Sequence, residues 1–173
     1  SSDLGLKIQE IIKRGPFDVK NTGVTAGCII ESIDGEEIKA GMDYFPLLDG
    51  KVGKNVRLGI RNAKGKKMEV TVKAISQGKL NNLLYKRWVD RNRAFVDSIS
   101  GGRIAYVHVK AMNSESFRTV YSELLSDKNR NRDAVIVDER HNGGGWLHDD
   151  LCTLLNGKQY QEFVPHGKVV GRD

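Results

Sequence analysis

Proline is scarce in this 173-residue chain, with 3 residues, and cysteine scarcer, with 2. So little proline, with no repeat, excludes collagen-like and proline-rich disordered sequence. Two cysteines make no disulfide framework. Cys28 and Cys152 each sit in an apolar pattern and read as small buried hydrophobes. No Cys-x-x-Cys or His-x-x-x-His spacing occurs, so no structural zinc site is expected; no other metal and no cofactor is assigned. Long apolar runs are missing too. The longest are short stretches such as Ala134-Val135-Ile136-Val137, far below the ~20 residues that span a bilayer. The opening Ser1-Ser2-Asp3-Leu4-Gly5-Leu6-Lys7 has no basic region followed by an apolar core, so no signal peptide is expected.

The charge has no one-sided concentration. Basic residues exceed acidic ones by 13 to 10 in residues 1–76 and by 15 to 12 in 77–173. That even split argues against a nucleic-acid arm or a polybasic membrane patch. The densest basic stretch, Lys86 to Arg93, lies in a helical pattern and reads as a solvated helix face. Glycine is abundant: 19 residues, or about 11%, against a usual ~7%. Many glycines with few prolines point to tight turns on a folded chain.

Residues 1–76 read as a small β-rich domain. Leu6, Ile8, Ile11 and Ile12 suggest a strand over 6–12, broken at Gly15-Pro16. The run Cys28-Ile29-Ile30-Glu31-Ser32-Ile33 meets Asp34-Gly35, a strand-reversing pair. Residues 42–50 form a short helix candidate ending at Gly50. Val56, Leu58 and Ile60 alternate with polar residues, as do Met68, Val70 and Val72. The turn Asn62-Ala63-Lys64-Gly65 joins them as a hairpin with one wet face.

Residues 77–173 read as α/β. Leu80, Leu83, Leu84, Trp88, Phe95 and Val96 have helical spacing, stopped by Ser100-Gly101-Gly102. A strand candidate follows over 103–109. Phe117, Val120, Tyr121, Leu124 and Leu125 form one helix stripe, with Ser114 as N-cap. The run from Asp133 to Asp138 suggests a strand covered on both faces. Trp146, Leu147, Leu151, Leu154 and Leu155 mark a last helix, closed by Asn156-Gly157. Strand, helix, strand implies two parallel strands joined by a right-handed crossover. The overall expectation is α+β, a β-rich domain followed by a partial α/β core with parallel strands.

The loop Glu139-Arg140-His141-Asn142-Gly143-Gly144-Gly145 then falls where a strand ends and a helix begins, the place where α/β sheets bind ligands. Glycines expose backbone N–H groups, and a helix start adds partial positive charge. Three uses compete: a phosphate cradle, a simple turn, or an oxyanion receptor for acyl transfer. The cradle lacks both nucleotide fingerprints, Gly-Lys-Ser/Thr and Gly-x-Gly-x-x-Gly. His108, on a strand pattern, reads as a hydrogen-bonded core residue. His148-Asp149-Asp150 cannot converge on one ion from successive helix positions and reads as helix-start polarity. Ser98, Ser100, Ser114 and Ser116 lie in no Gly-x-Ser-x-Gly elbow, and none is assigned as nucleophile.

Two stretches resemble known families. Gly27 to Gly35 resembles the PDZ pattern G-D-I-I-x-x-I-(D/N)-G, with Cys28 where an acidic residue is usual, and Leu47 to Leu58 resembles the segment that follows in protease-associated PDZ domains. That resemblance implies peptide binding by strand addition. Leu4-Gly5-Leu6 resembles the turn that receives the peptide carboxylate. Ser100 to Val109, then Ala134 to Leu151, resembles the tricorn-like and carboxyl-terminal-processing serine proteases, whose second motif is (A/L)-(V/I)-(I/V)-V-D-x-R-x-N-G-G-G.

The protease resemblance implies that the amide of Gly144 donates to an oxyanion, with Gly143 and Gly145 shaping the loop. It also places the family's Ser nucleophile after residue 173 and its His base before residue 1. This chain alone would then be inactive. The implied partner is a peptide or protein substrate, with a homo-oligomer of the full-length protein left open. Relatives occur in both the periplasm and the cytoplasm, so the compartment stays undecided. The alternative function is a non-catalytic PDZ-type binding or assembly module.

Overall fold

A computed structural model describes residues 5–20, 22–157, 162–169 and 171–172. The chain forms two compact units, residues 1–88 and 89–173.

In the first unit a five-stranded antiparallel sheet has the order β1-β2-β4-β5, with β3 also paired to β2. The strands are β1 (Leu6–Lys7), β2 (Ile29–Ile33), β3 (Glu36–Glu37), β4 (Asn55–Arg61) and β5 (Lys67–Lys73). Alternation decides the core: Val56, Leu58 and Ile60 of β4 are buried together with Ile8, Val24, Cys28, Ile33 and Ile38. Burying one such side chain is worth about 1.5–3 kcal/mol.

The two turns are built as the sequence suggests. Asp34 and Gly35 both take positive φ, 50° and 94°. Asn62 Oδ1 accepts the amides of Lys64 and Lys66, each at 3.0 Å, to close the β4–β5 hairpin. Two expectations change. The first strand ends at Lys7, although Ile8 N–H still reaches the Cys28 carbonyl at 2.8 Å. The chain then turns at Ile12–Gly15, where Gly15 N–H bonds the Ile12 carbonyl and Arg14 takes φ 62°. Residues 42–50 yield only a 3-10 turn at Phe45–Leu48.

Helix α1 (Gln77–Ile99) runs through the boundary between the units. Within its basic stretch, Arg87 pairs with Glu10, and Arg93 with Asp90 and Glu123.

In the second unit β6 (Ile104–His108) and β7 (Ala134–Asp138) pair in parallel, from Ile104 opposite Ala134 to His108 opposite Asp138. Helix α2 (Ser114–Leu124) forms the crossover. Its N-cap is Asn113, not Ser114: Asn113 Oδ1 accepts the Ser116 amide at 2.9 Å. Val107, Val109, Val120, Leu147 and Leu151 form the core, with Val135 and Val137 packed on it. Strand β7 is covered on one face only. Ile136 points the other way and is 43% exposed, although Tyr106, its partner on β6, is buried.

Helix α3 spans His148–Asn156 and is closed by Gly157 at φ 63°. It starts two residues later than expected, which leaves Trp146 outside the helix and 91% exposed. Cys152 is exposed while Cys28 is fully buried, so only one thiol behaves as a core residue. Residues Glu162–Phe163 (β8) and Gly171–Arg172 (β9) pair antiparallel.

Candidate active site

The loop 139–145 leaves the C-terminal end of β7, beside the end of β6. Its base is a polar network. Asp138 is buried, and its Oδ2 accepts the Tyr106 hydroxyl at 2.6 Å. Arg140 folds back on it: Nε lies 3.0 Å from both carboxylate oxygens, and Nη2 lies 2.6 Å from Oδ2. The Arg140 amide adds a bond to Asp138 Oδ1 at 2.9 Å. The Arg140 guanidinium holds the Asp138 carboxyl far below the usual carboxylate range, with the Tyr106 hydroxyl and the Arg140 amide adding to the effect. Burial, then the hydrogen bond to Asp138, pushes the Tyr106 phenol up. The network is thus an ionised carboxylate with its charge fully engaged, which fits a structural anchor better than a proton carrier.

His108 is a hydrogen-bonded core residue, as its strand position suggests. Its ring is buried, and Nε2 lies 2.7 Å from the Arg140 carbonyl. The next part of the loop is tied back to the residues that follow β6. Asn142 Nδ2 donates to the Val109 carbonyl at 2.8 Å, and the Gly143 amide donates to the Lys110 carbonyl at 3.2 Å. The Met112 amide donates to the Gly144 carbonyl at 2.9 Å.

The three glycines differ. Gly143 has ordinary φ and open space around it. Gly144 takes φ 84°, and its amide donates to Asn142 Oδ1 at 2.6 Å. Gly145 takes φ 129° and lies against the Met112 backbone, where a β-carbon would come 2.1 Å from the carbonyl oxygen. All three are solvent-exposed. The helix start is not directly behind them, since Trp146 and Leu147 intervene before α3. His148 Nε2 lies 3.0 Å from Asp149 Oδ1. No group of three or more metal-ligating side chains occurs among the described residues.

At the other candidate site Leu4 lies outside the described residues. Gly5, at φ 109°, packs so closely on β2 that a β-carbon would sit 2.5 Å from the Ile30 carbonyl oxygen. Leu6 pairs with Ile30, and its side chain packs on the core. Strand β1 is an edge, with β2 on one side. Near it is an open cavity of about 530 Å³, lined by Gln9, Glu10, Ile11, residues 17–19 and residues 22–26.

Four residues of the site fall within the quoted motif stretches but are given no role by the sequence: Tyr106, Asp138, Arg140 and Asn142. Their signal is an acid and an arginine two apart at a strand end, with an amide side chain just ahead of the glycines.

Residues 10–77 match the family described as the tricorn protease PDZ domain, and residues 103–170 match peptidase family S41. The chain is similar to the tricorn protease of Thermoplasma acidophilum, 29% identical over 133 residues, which is 77% of this chain and 12% of that protein. It is similar to the tricorn protease homolog of Saccharolobus solfataricus, 31% identical over 159 residues, covering 91% of this chain and 14% of the relative. The crystal structure of the tricorn protease matches with a TM-score of 0.67 at 28% identity, over 83% of this chain and 14% of that one. The chain therefore spans only a small part of the relatives it matches.

Proposed function

Since the chain belongs to the tricorn-like peptidases, passing from a tricorn protease PDZ domain into the region of peptidase family S41, we propose that it is the middle portion of a serine peptidase. On this reading residues 1–76 are the PDZ-like domain and 77–173 the first part of the catalytic domain. The observation that carries it is the exposed loop 139–145, delivered by a parallel strand pair within the S41 match. Backbone amides of that loop, Gly144 foremost, receive the oxyanion of the tetrahedral intermediate, while Gly143 and Gly145 set its path. A preorganised donor aimed at a developing negative oxygen is worth roughly 3–4 kcal/mol in the barrier; the Gly144 amide, bonded to Asn142 Oδ1 in the resting loop, delivers less than that because it must first leave this partner. The nucleophilic Ser and the His base come from outside residues 1–173, and acyl transfer through Ser needs no metal.

The PDZ-like domain presents peptide or protein substrates. The free edge of β1 supplies main-chain hydrogen bonds, and Leu4-Gly5-Leu6 receives a terminal carboxylate. Neither nucleic acid nor membrane enters this role, and the full-length protein is open to self-association.

The test is a pair of assays. The isolated chain should hydrolyse no peptide, and a fluorophosphonate should label the full-length protein at a Ser outside 1–173. Turnover by the isolated chain, or labelling within 98–126, overturns the assignment. For the PDZ-like domain, a peptide with a free C-terminus should shift the Gly5 and Leu6 amide resonances more than its amidated form does.

A further inference from the structure

The peptide unit joining Gly143 to Gly144 lies between two anchored neighbours. The unit before it is held by the Gly143 amide on the Lys110 carbonyl, at 3.2 Å. The unit after it is held by the Met112 amide on the Gly144 carbonyl, at 2.9 Å. The unit between them points its N–H at Asn142 Oδ1, 2.6 Å away. A peptide plane between two fixed planes can turn by coupled changes of ψ at the residue before and φ at the residue after. Here both residues are glycines, and apart from their chain neighbours nothing lies within 4 Å of where either β-carbon would stand. Glycine at both positions gives this one plane the backbone freedom to turn while its neighbours stay anchored.

Asn142 is itself held firmly. Its Nδ2 donates to the Val109 carbonyl at 2.8 Å, and its own amide bonds the Glu139 carbonyl at 3.0 Å. These partners fix which way the carboxamide faces: reversed, it would set a donor against an N–H and an acceptor against a carbonyl. The side chain therefore bridges the end of β6 and the Gly144 amide.

We infer that Asn142 is a positioning residue for the Gly144 amide, holding it in the resting loop and yielding it to the oxyanion as the Gly143–Gly144 peptide plane turns. This rests on the oxyanion reading given above. The exchange is favourable in the transition state, because a hydrogen bond to an ionised oxygen is roughly twice as strong as one to a neutral amide oxygen. Asn142 acts through Gly144 and does not touch substrate.

Amide exchange and titration in the ¹⁵N-labelled chain test the first half. Asn142→Ala should quicken Gly144 exchange by about tenfold or more, while Gly143, held by Lys110, keeps its protection. Asn142→Asp should make the Gly144 amide shift titrate with the introduced carboxyl. If Asn142→Ala also frees Gly143, the loop has come apart, and Asn142→Asp carries the test: it loses the donor to the Val109 carbonyl but keeps an acceptor for the Gly144 amide, and Gly143 protection in that variant shows that the loop holds. An unchanged Gly144 shift across that titration overturns the inference.

Turnover by the full-length protein tests the second half. A charged acceptor retains the amide, so Asn142→Asp should lower kcat by roughly 10- to 100-fold with KM unchanged, since the oxyanion exists only beyond the ground state. A Gly144 resonance that responds while kcat does not would overturn the oxyanion role of Gly144 itself. A fall in kcat without any resonance response would overturn the positioning by Asn142 alone.

Discussion

Gly145 and Met112 approach so closely that a β-carbon on Gly145 would lie 2.1 Å from the Met112 carbonyl oxygen. The contact joins the end of the loop to the start of the crossover, as a parallel bridge outside the main strands. Gly145→Ala should therefore cost about 2–5 kcal/mol, from overpacking and a strained φ together. Gly144→Ala has space but keeps φ 84°, at a cost of about 1–2 kcal/mol. Gly143→Ala has neither problem and should change stability by less than about 0.5 kcal/mol. Urea denaturation of the three variants checks the order, and a Gly143→Ala as damaging as Gly145→Ala would refute it.

Arg132 is a largely buried structural cation of the second unit. Its side chain is 10% exposed and reaches Asp97 Oδ1 at 2.6 Å, the Lys128 carbonyl at 3.1 Å and the carbonyls of Gly102 and Ile104. Arg132→Met should lose about 2–4 kcal/mol, because these acceptors lose their donor together. Arg132→Lys should recover only part of that, since a point charge cannot serve several carbonyls at once. Chemical unfolding of both variants measures the difference.

Acid should weaken each unit through a different carboxylate. Asp34 is held below its ordinary pKa by the Lys51 ammonium, then by the Arg57 amide. Asp138 is held lower still by Arg140. A carboxyl whose folded pKa is depressed stabilises the fold above its unfolded pKa, near ~3.9, and that contribution disappears as pH falls through the folded value. Stability should stay flat from neutral pH to about 5 and decline below about 4. Asp34→Asn should flatten the decline read at Val56, and Asp138→Asn the decline read at Val120, both by methyl NMR. An acid limb unchanged in both variants would remove these residues as its cause.

Tyr106→Phe removes two hydrogen bonds, the short one to Asp138 and the longer one that the hydroxyl accepts from Asn92 Nδ2 at 3.3 Å. Asp138 keeps Arg140 but loses the hydroxyl donor at 2.6 Å. The expected cost is about 1–3 kcal/mol, as for a hydrogen bond to a charged group. The Asp138 carboxyl should titrate at higher pH than in the parent chain, readable from its ¹³Cγ shift.

What the sequence makes legible follows from how local each determinant is. The alternation in β4 and β5 and the Asp34-Gly35 turn involve neighbours a few positions apart, and the structure places them as expected. The parallel pairing of β6 and β7 follows from the order of elements. The approach of Met112 to Gly145 is different, because it depends on where two loops meet in space. The motif includes Asn142, but its role is not legible for the same reason: the carboxamide matters only once Val109 is brought beside it. Trp146 shares an apolar pattern with Leu147 and Leu151, so periodicity alone joins it to the helix. The helix begins at His148, and the indole is left in solvent. Ser114 and Asn113 are adjacent capping residues of similar propensity, and only the helix register chooses Asn113.

Cys28 is fully buried and Cys152 is exposed. A maleimide dye should therefore mark the native chain at a single position, on α3, a few residues past the glycine loop. The second thiol becomes reactive only when the β-rich unit opens. Labelling stoichiometry, read by mass spectrometry over time, then gives a clock for that opening alone, with a fluorophore already in place near the loop.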